Sequence, residues 1–125
     1  MKTRGEIEAA VCELMRRFQL EYMGRGPKYI HAHLIGDLLV VRLQGVLTAA
    51  EQQLFKSIPA ANCRNLLKQL RNYLIATARP VMEAMIQEVA GVEVLSLHHD
   101  ISNVTGEECV LFNPAKSPDY RQLNK

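Results

Sequence analysis

Histidines are the residues of this chain best suited to chemistry. His31 and His33 stand two apart in one segment, and His98 and His99 precede Asp100 in another. Imidazole and carboxylate together suit zinc, iron or manganese. Residues two apart on a strand point the same way, so two neighbouring hairpins would bring His31, His33, His98 and Asp100 to one outward face. That set is the candidate ligand or metal face. No HExxH or comparable ligand spacing accompanies it, so no resident metal and no cofactor is assigned. Histidines at strand spacing are ordinarily polar positions of a half-exposed sheet. His99 alternates with them and is expected on the inner side, paired to a backbone group.

The second candidate is the loop Gly24-Arg25-Gly26-Pro27. Its glycines have the look of a phosphate loop, but it follows a helix and precedes a strand, the reverse of a P-loop, and no GK[ST] is present. A rigid helix-to-strand corner is the expectation, with Arg25 as the single best residue for a specific anionic contact. Cys109 is a weak nucleophile candidate, because flanking Glu107 and Glu108 raise a thiol's pKa. No catalytic residue is assigned, and an enzyme is the less favoured reading. Arg64, Lys68 and Arg71 repeat at one-turn spacing as a basic stripe, but aromatic residues are only 6% with no Trp, so nucleic acid is disfavoured as a partner.

The elements that would position these residues are legible. Thr3-Arg-Gly-Glu6 has capping-box spacing, and Ile7, Ala10, Val11, Leu14, Met15 and Phe18 continue at helical period. The helix must end before Gly24 and Pro27. Ile30, Ala32 and Leu34 then alternate with His31, His33 and Ile35 up to a Gly36-Asp37 turn, and the return strand runs Leu38 to Gln44. That turn sets Leu34 opposite Leu39, Ala32 opposite Val41 and Ile30 opposite Leu43, one wholly apolar face. Thr48-Ala-Ala-Glu51 repeats the capping-box spacing for a short helix with Leu54 and Phe55 inward, stopped at Ile58-Pro59.

A long helix follows from about 60 to 90, with Leu66, Leu67, Leu70, Tyr73, Leu74, Thr77, Val81, Ala84, Met85 and Val89 expected inward. Pro80 should kink or divide it. Gly91 ends it, and a second hairpin turns at Asn103-Val-Thr-Gly106 with Leu95, Leu97, Val110 and Phe112 core-facing. The order α-ββ-αα-ββ implies an α+β fold of two layers, a four-stranded antiparallel sheet with helices on one face. Residues 1–113 make one domain and 114–125 a loose tail.

Composition narrows the class. An apolar share of 48% over 125 residues supports a full core without staples. The odd cysteine count, Cys12, Cys63 and Cys109, reads as reduced thiols of a cytosolic protein. No apolar run reaches the ~20 residues of a membrane span, and Met1-Lys-Thr-Arg lacks a signal-peptide core. Charge is segregated: no acid lies between Glu51 and Glu83, and no base between Arg79 and Lys116. Such blocks favour docking between like chains or onto a partner of opposite charge.

The helix ending at Gly24-Arg25-Gly26-Pro27, the hairpin running into Gly45-Val-Leu-Thr48, then Glu51, Leu54, Arg64 and Gly91, form a recognisable pattern over residues 4–113. It resembles the family of small soluble domains belonging to the sodium-translocating membrane-potential-generating system. The resemblance implies a bacterial, cytoplasmic accessory protein, peripheral to the inner face of the membrane, linked to a system coupling sodium movement, membrane potential and inorganic-carbon uptake. It implies no catalytic residue. Arg25, Gly26, Pro27, Thr48, Glu51 and Arg64 match the family pattern.

The functional expectation is therefore an accessory or regulatory protein acting by protein–protein contact. It would be a homodimer, with a membrane-transport protein as a further partner. The outer sheet face (Ile35, Leu38, Val40, Leu111) is the expected surface. The alternative is a small-molecule or metal-binding sensor using the histidine-bearing face.

Overall fold

The structure, a computed structural model, describes residues 2–57, 60–102 and 105–120, and among these omits the side chains of 55, 57 and 60–64. Helix α1 spans Arg4–Met23. The Thr3 hydroxyl accepts the Glu6 amide at 3.1 Å while the Glu6 carboxylate accepts the Thr3 amide at 3.1 Å, so two amides that no turn of helix can satisfy are paired. Gly24 ends the helix in the left-handed region at φ +81°. Ile7, Val11, Met15 and Phe18 form the buried stripe, which continues into a glutamine, Gln19.

Strands β1 (Tyr29–Ile35) and β2 (Leu38–Gln44) pair in the register that the apolar alternation dictates: Leu34 with Leu39, Ala32 with Val41, Ile30 with Leu43. Strands β3 (Val94–Ile101) and β4 (Glu108–Pro114) form the second hairpin. All pairings are antiparallel and the sheet order is β1-β2-β4-β3. The hairpins thus join through β2 and β4, leaving β1 and β3 as the edges. Helix α1 lies along the β1 edge. There the Glu8 carboxylate accepts the Leu34 amide at 2.8 Å, and the Cys12 thiol approaches the Ile30 carbonyl at 4.0 Å. The Glu8 carboxylate thus occupies an edge amide that would otherwise offer a template for another strand.

One residue of the second hairpin departs from expectation. Val110 and Phe112 are fully buried and Leu97 is partly so, but Leu95 is 61% exposed. An irregularity between Val94 and Ser96 inserts one residue, so the alternation breaks there and Leu95 turns outward.

Helices α2 (Ala49–Ser57) and α3 (Ala60–Ala90) complete the domain, and α3 carries the largest correction. Its buried residues are Leu67, Arg71, Ile75, Ala78, Met82, Ile86 and Ala90, while Leu66, Leu70, Tyr73 and Val81 are among the exposed large apolar residues, and Thr77 and Ala84 are not buried either. Leu67 is buried as expected, and Leu74, Met85 and Val89 pack partly against the core, but the centre of the inward stripe is rotated by about 100° from the expected one. Apolar residues occupy several sides of this helix, so period alone does not choose the face. The supposed basic stripe divides accordingly: Lys68 pairs with Asp100 at 2.8 Å, Arg71 is wholly buried, and the Arg64 side chain lies outside the described residues. Pro80 neither ends nor divides the helix. It sits on the exposed side, where water can take the Ala76 carbonyl that the ring leaves without a donor.

The Ile58-Pro59 stop and the first half of the Asn103-Val-Thr-Gly106 turn lie outside the described residues, as does the Phe55 side chain. Past β4, Ala115 donates its amide to the Glu93 carbonyl at 2.8 Å, Ser117 donates to the Gly36 carbonyl at 2.9 Å, and Tyr120 packs against the core.

Candidate functional site

Five elements each send one polar side chain to a single point between the helices and the sheet. Arg71 of α3 is at the centre. Its Nε and Nη2 donate to the two carboxylate oxygens of Glu51 (α2) at 3.0 and 2.7 Å, a bidentate pair. Nη1 donates to Glu108 (β4) at 3.2 Å, and Nη2 also reaches the Val46 carbonyl at 3.0 Å. Glu108 further accepts Gln19 Nε2 (α1) at 2.8 Å, and His99 Nε2 (β3) lies 2.9 Å from its other oxygen. Gln19, Arg71 and Glu108 are 0% exposed.

Charge explains the arrangement. A guanidinium taken from water is tolerable only when fully paired and hydrogen-bonded. Here one guanidinium faces two carboxylates, and the excess negative charge is spread over amide and imidazole donors. Because Glu108 accepts, His99 Nε2 carries the hydrogen of that contact, while Nδ1 lies 3.2 Å from the Asn72 side-chain oxygen. The partner of His99 is therefore a buried carboxylate, not the backbone group expected. Gln19 Oε1 is a buried side-chain oxygen without a partner among the described residues.

Glu51 links this cluster to the Gly45-Val-Leu-Thr48 motif. Its Oε1 accepts the Thr48 amide at 2.9 Å and its own amide donates to the Thr48 hydroxyl at 3.2 Å, the expected capping box. One carboxylate thus caps α2 and holds Arg71. The sequence held a signal for the missed partners. Glu108 alternates with Val110 and Phe112, and Arg71 stands four residues from Leu67 and four from Ile75, so each charge occupies a core-facing position.

The Gly24-Arg25-Gly26-Pro27 loop is a corner, as its order implied. Arg25 Nε donates to the Gly45 carbonyl at 3.1 Å and the Lys28 amide to the Gln44 carbonyl at 2.8 Å, so the two motifs are tied together. Gly45 needs to be glycine on two counts: φ is +71°, and a Cβ there would fall 2.7 Å from Lys28 Cγ. Gly24 has a similar φ but open space. Gly45→Ala is therefore expected to cost about 2–3 kcal/mol and Gly24→Ala about 1 kcal/mol in urea denaturation. Equal losses would show that the Lys28 clash relaxes freely.

The sheet order does not bring the four outward candidates together. His31 and His33 stack on β1 with ring centroids 6.5 Å apart, whereas His98 and Asp100 lie on β3 at the opposite edge. Three strand spacings of ~4.8 Å, about 14 Å in all, separate the two pairs. Asp100 is engaged by Lys68, whose hydrogen bond holds its carboxyl below the ordinary range. Among the described residues no group of three metal-ligating side chains is assembled. Cys109 pairs with Asp100 and Arg42 across the strands, and burial, then the Glu107 charge, pushes its thiol pKa up; burial does the same at Cys12. Neither environment favours the thiolate.

The geometry defines an α+β domain with an open sheet, covered by helices on one face and locked by a buried ionic cluster, with no helix long and apolar enough to cross a membrane among the described residues. Comparison with known proteins places it more closely. The model of one family, described as Na+-translocating membrane potential-generating system (MpsC), matches residues 3–114, and the chain belongs to that family. It is 29% identical over 111 residues to a Bacillus subtilis (strain 168) protein named "Uncharacterized protein YbcI", covering 89% of this chain and 87% of that one. No solved structure matches.

Proposed function

We propose that the chain is an accessory or regulatory component of a sodium-translocating membrane potential-generating system, acting by protein–protein contact through the outer face of its sheet, first with a second copy of itself. The observation that carries this reading is the one-sided packing of the sheet. Helices cover the face of Ile30, Val41, Val110 and Phe112, and no described element packs on the other. That other face has a row running edge to edge through His33, Val40, Leu111 and His98, with Ile35 beside it 62% exposed. An apolar centre rimmed by polar residues is the usual anatomy of an interface. The family description supplies the membrane system, and the charge blocks of the sequence supply polarity for docking.

Sedimentation equilibrium in the micromolar range tests the contact. A dimer is expected, and Val40→Lys should weaken it about 100-fold or more by burying a charge in the apolar centre of the contact, with the circular dichroism spectrum unchanged. A clean monomer throughout that range, or a dimer indifferent to Val40→Lys, removes the reading.

A further inference from the structure

Where the two sequence motifs meet, the surface holds a recess of about 600 Å³, with Lys28, Tyr29, Arg42, Gln44, Thr105 and Glu107 around it and Gly45 at its wall. Its charges are unbalanced. Lys28 and Arg42 line it, Arg25 is fixed to the Gly45 carbonyl, and Glu107 is the lining acid. Among the described residues the Lys28 ammonium has no hydrogen-bond or ion-pair partner, and Arg25 uses only Nε. The bare backbone of Gly45 is what lets the Lys28 stem lie across this wall.

Glu107 shows how the donors are aimed. Its Oε2 accepts Arg42 Nη2 at 2.9 Å and Gln44 Nε2 at 3.0 Å, so an oxyanion already sits against them. Those same hydrogen bonds, Gln44 first, hold its carboxyl below the ordinary range. The Thr105 hydroxyl oxygen accepts the Glu107 amide at 3.2 Å, leaving its own hydrogen to donate. Two lining cations against one carboxylate leave a positive excess, with Arg25 anchored on the Gly45 carbonyl, and ammonium and guanidinium donors together suit a phosphate oxyanion.

We infer that this recess binds a phosphate group, free or carried by a small molecule or lipid, with Lys28 and Arg42 as charge partners and the Thr105 and Tyr29 hydroxyls as further donors. The site does not depend on self-association, and its test reads a different quantity.

Amide and side-chain NMR shifts of the full chain are followed on titration with inorganic phosphate, against chloride at equal ionic strength. In parallel, co-sedimentation is measured with phosphatidylcholine vesicles with and without phosphatidylglycerol. Saturable shifts confined to Lys28, Tyr29, Arg42, Gly45, Thr105 and Glu107 support a free phosphate. Co-sedimentation that requires phosphatidylglycerol and is lost in Lys28→Ala supports a lipid phosphate. Glu107→Gln removes a competing charge and frees Arg42, so binding should tighten about fourfold for each unit of charge on the phosphate, the effect of a unit charge at ~5 Å in a water-like dielectric; Lys28→Ala should weaken it by a similar factor. The inference is overturned by shifts that chloride reproduces, by neither probe binding, or by Glu107→Gln binding phosphate no better than the parent.

Discussion

Arg71→Met is expected to destabilise the protein by about 3–5 kcal/mol, a loss that urea denaturation of parent and variant measures directly. Methionine keeps much of the length of the side chain, so packing changes little. What is lost is the cation between Glu51 and Glu108, and two buried carboxylates then face each other with only the Thr48 amide, Gln19 and His99 as donors. A typical domain holds about 5–15 kcal/mol in total, so this one substitution consumes much of the margin. Replacing Arg71, Glu51 and Glu108 together by apolar residues of similar volume should recover most of the loss, because the desolvation cost of the ions disappears with them. A single variant that stays within about 1 kcal/mol of the parent would show that the cluster is hydrated, not buried.

Glu51→Ala should be nearly as costly, about 3–4 kcal/mol, and Thr48→Ala far less, about 1 kcal/mol. Both remove the α2 capping box, since the Thr48 hydroxyl and Glu51 carboxylate cap each other's amide. Only Glu51→Ala also strips Arg71 of its bidentate partner. The difference between the two variants therefore isolates the ionic half of the Glu51 role. A double-mutant cycle of Glu51→Ala with Arg71→Met should give a coupling of about 2–3 kcal/mol. Equal costs for Thr48→Ala and Glu51→Ala would reduce Glu51 to a cap alone.

Where a local rule has one solution, the sequence read true. The α1 box, the Gly24 stop and the β1–β2 register each follow from a short stretch in which hydrogen-bond supply or strand alternation admits one arrangement. Where the rule was local but the context was not, the reading slipped. Leu95 turned outward because one inserted residue breaks the alternation, and no residue type marks that irregularity. On α3 the apolar residues wrap around more than one side, so the expected stripe joins Leu66, Leu70 and Tyr73 to the correctly placed Leu67 and leaves out Ile75 and Ala78. One-turn spacing puts Arg71 in a basic stripe, whereas in the fold it lies on the buried side with Leu67 and Ile75.

The outward histidines and the inward cluster show the same division. Alternation correctly put His31 and His33 on one face and His98 on the outer side of its own hairpin. It carried no information on which strands of the two hairpins become neighbours. Joining through β2 and β4 sends the two groups to opposite edges, whereas joining through β1 and β3 would have united them.

By itself the chain determined its elements, their caps, the apolar faces of its first hairpin and its family pattern, because those depend on contacts between residues close in sequence. The tertiary structure alone decided strand order, the buried side of α3 and the convergence of Gln19, Glu51, Arg71, His99 and Glu108. Those depend on pairing polar groups up to 89 residues apart. A buried ion is stable only where its partners from other elements arrive together; a charge at a core-facing position, such as Arg71 or Glu108, signals that a partner is needed, but only the tertiary structure names it.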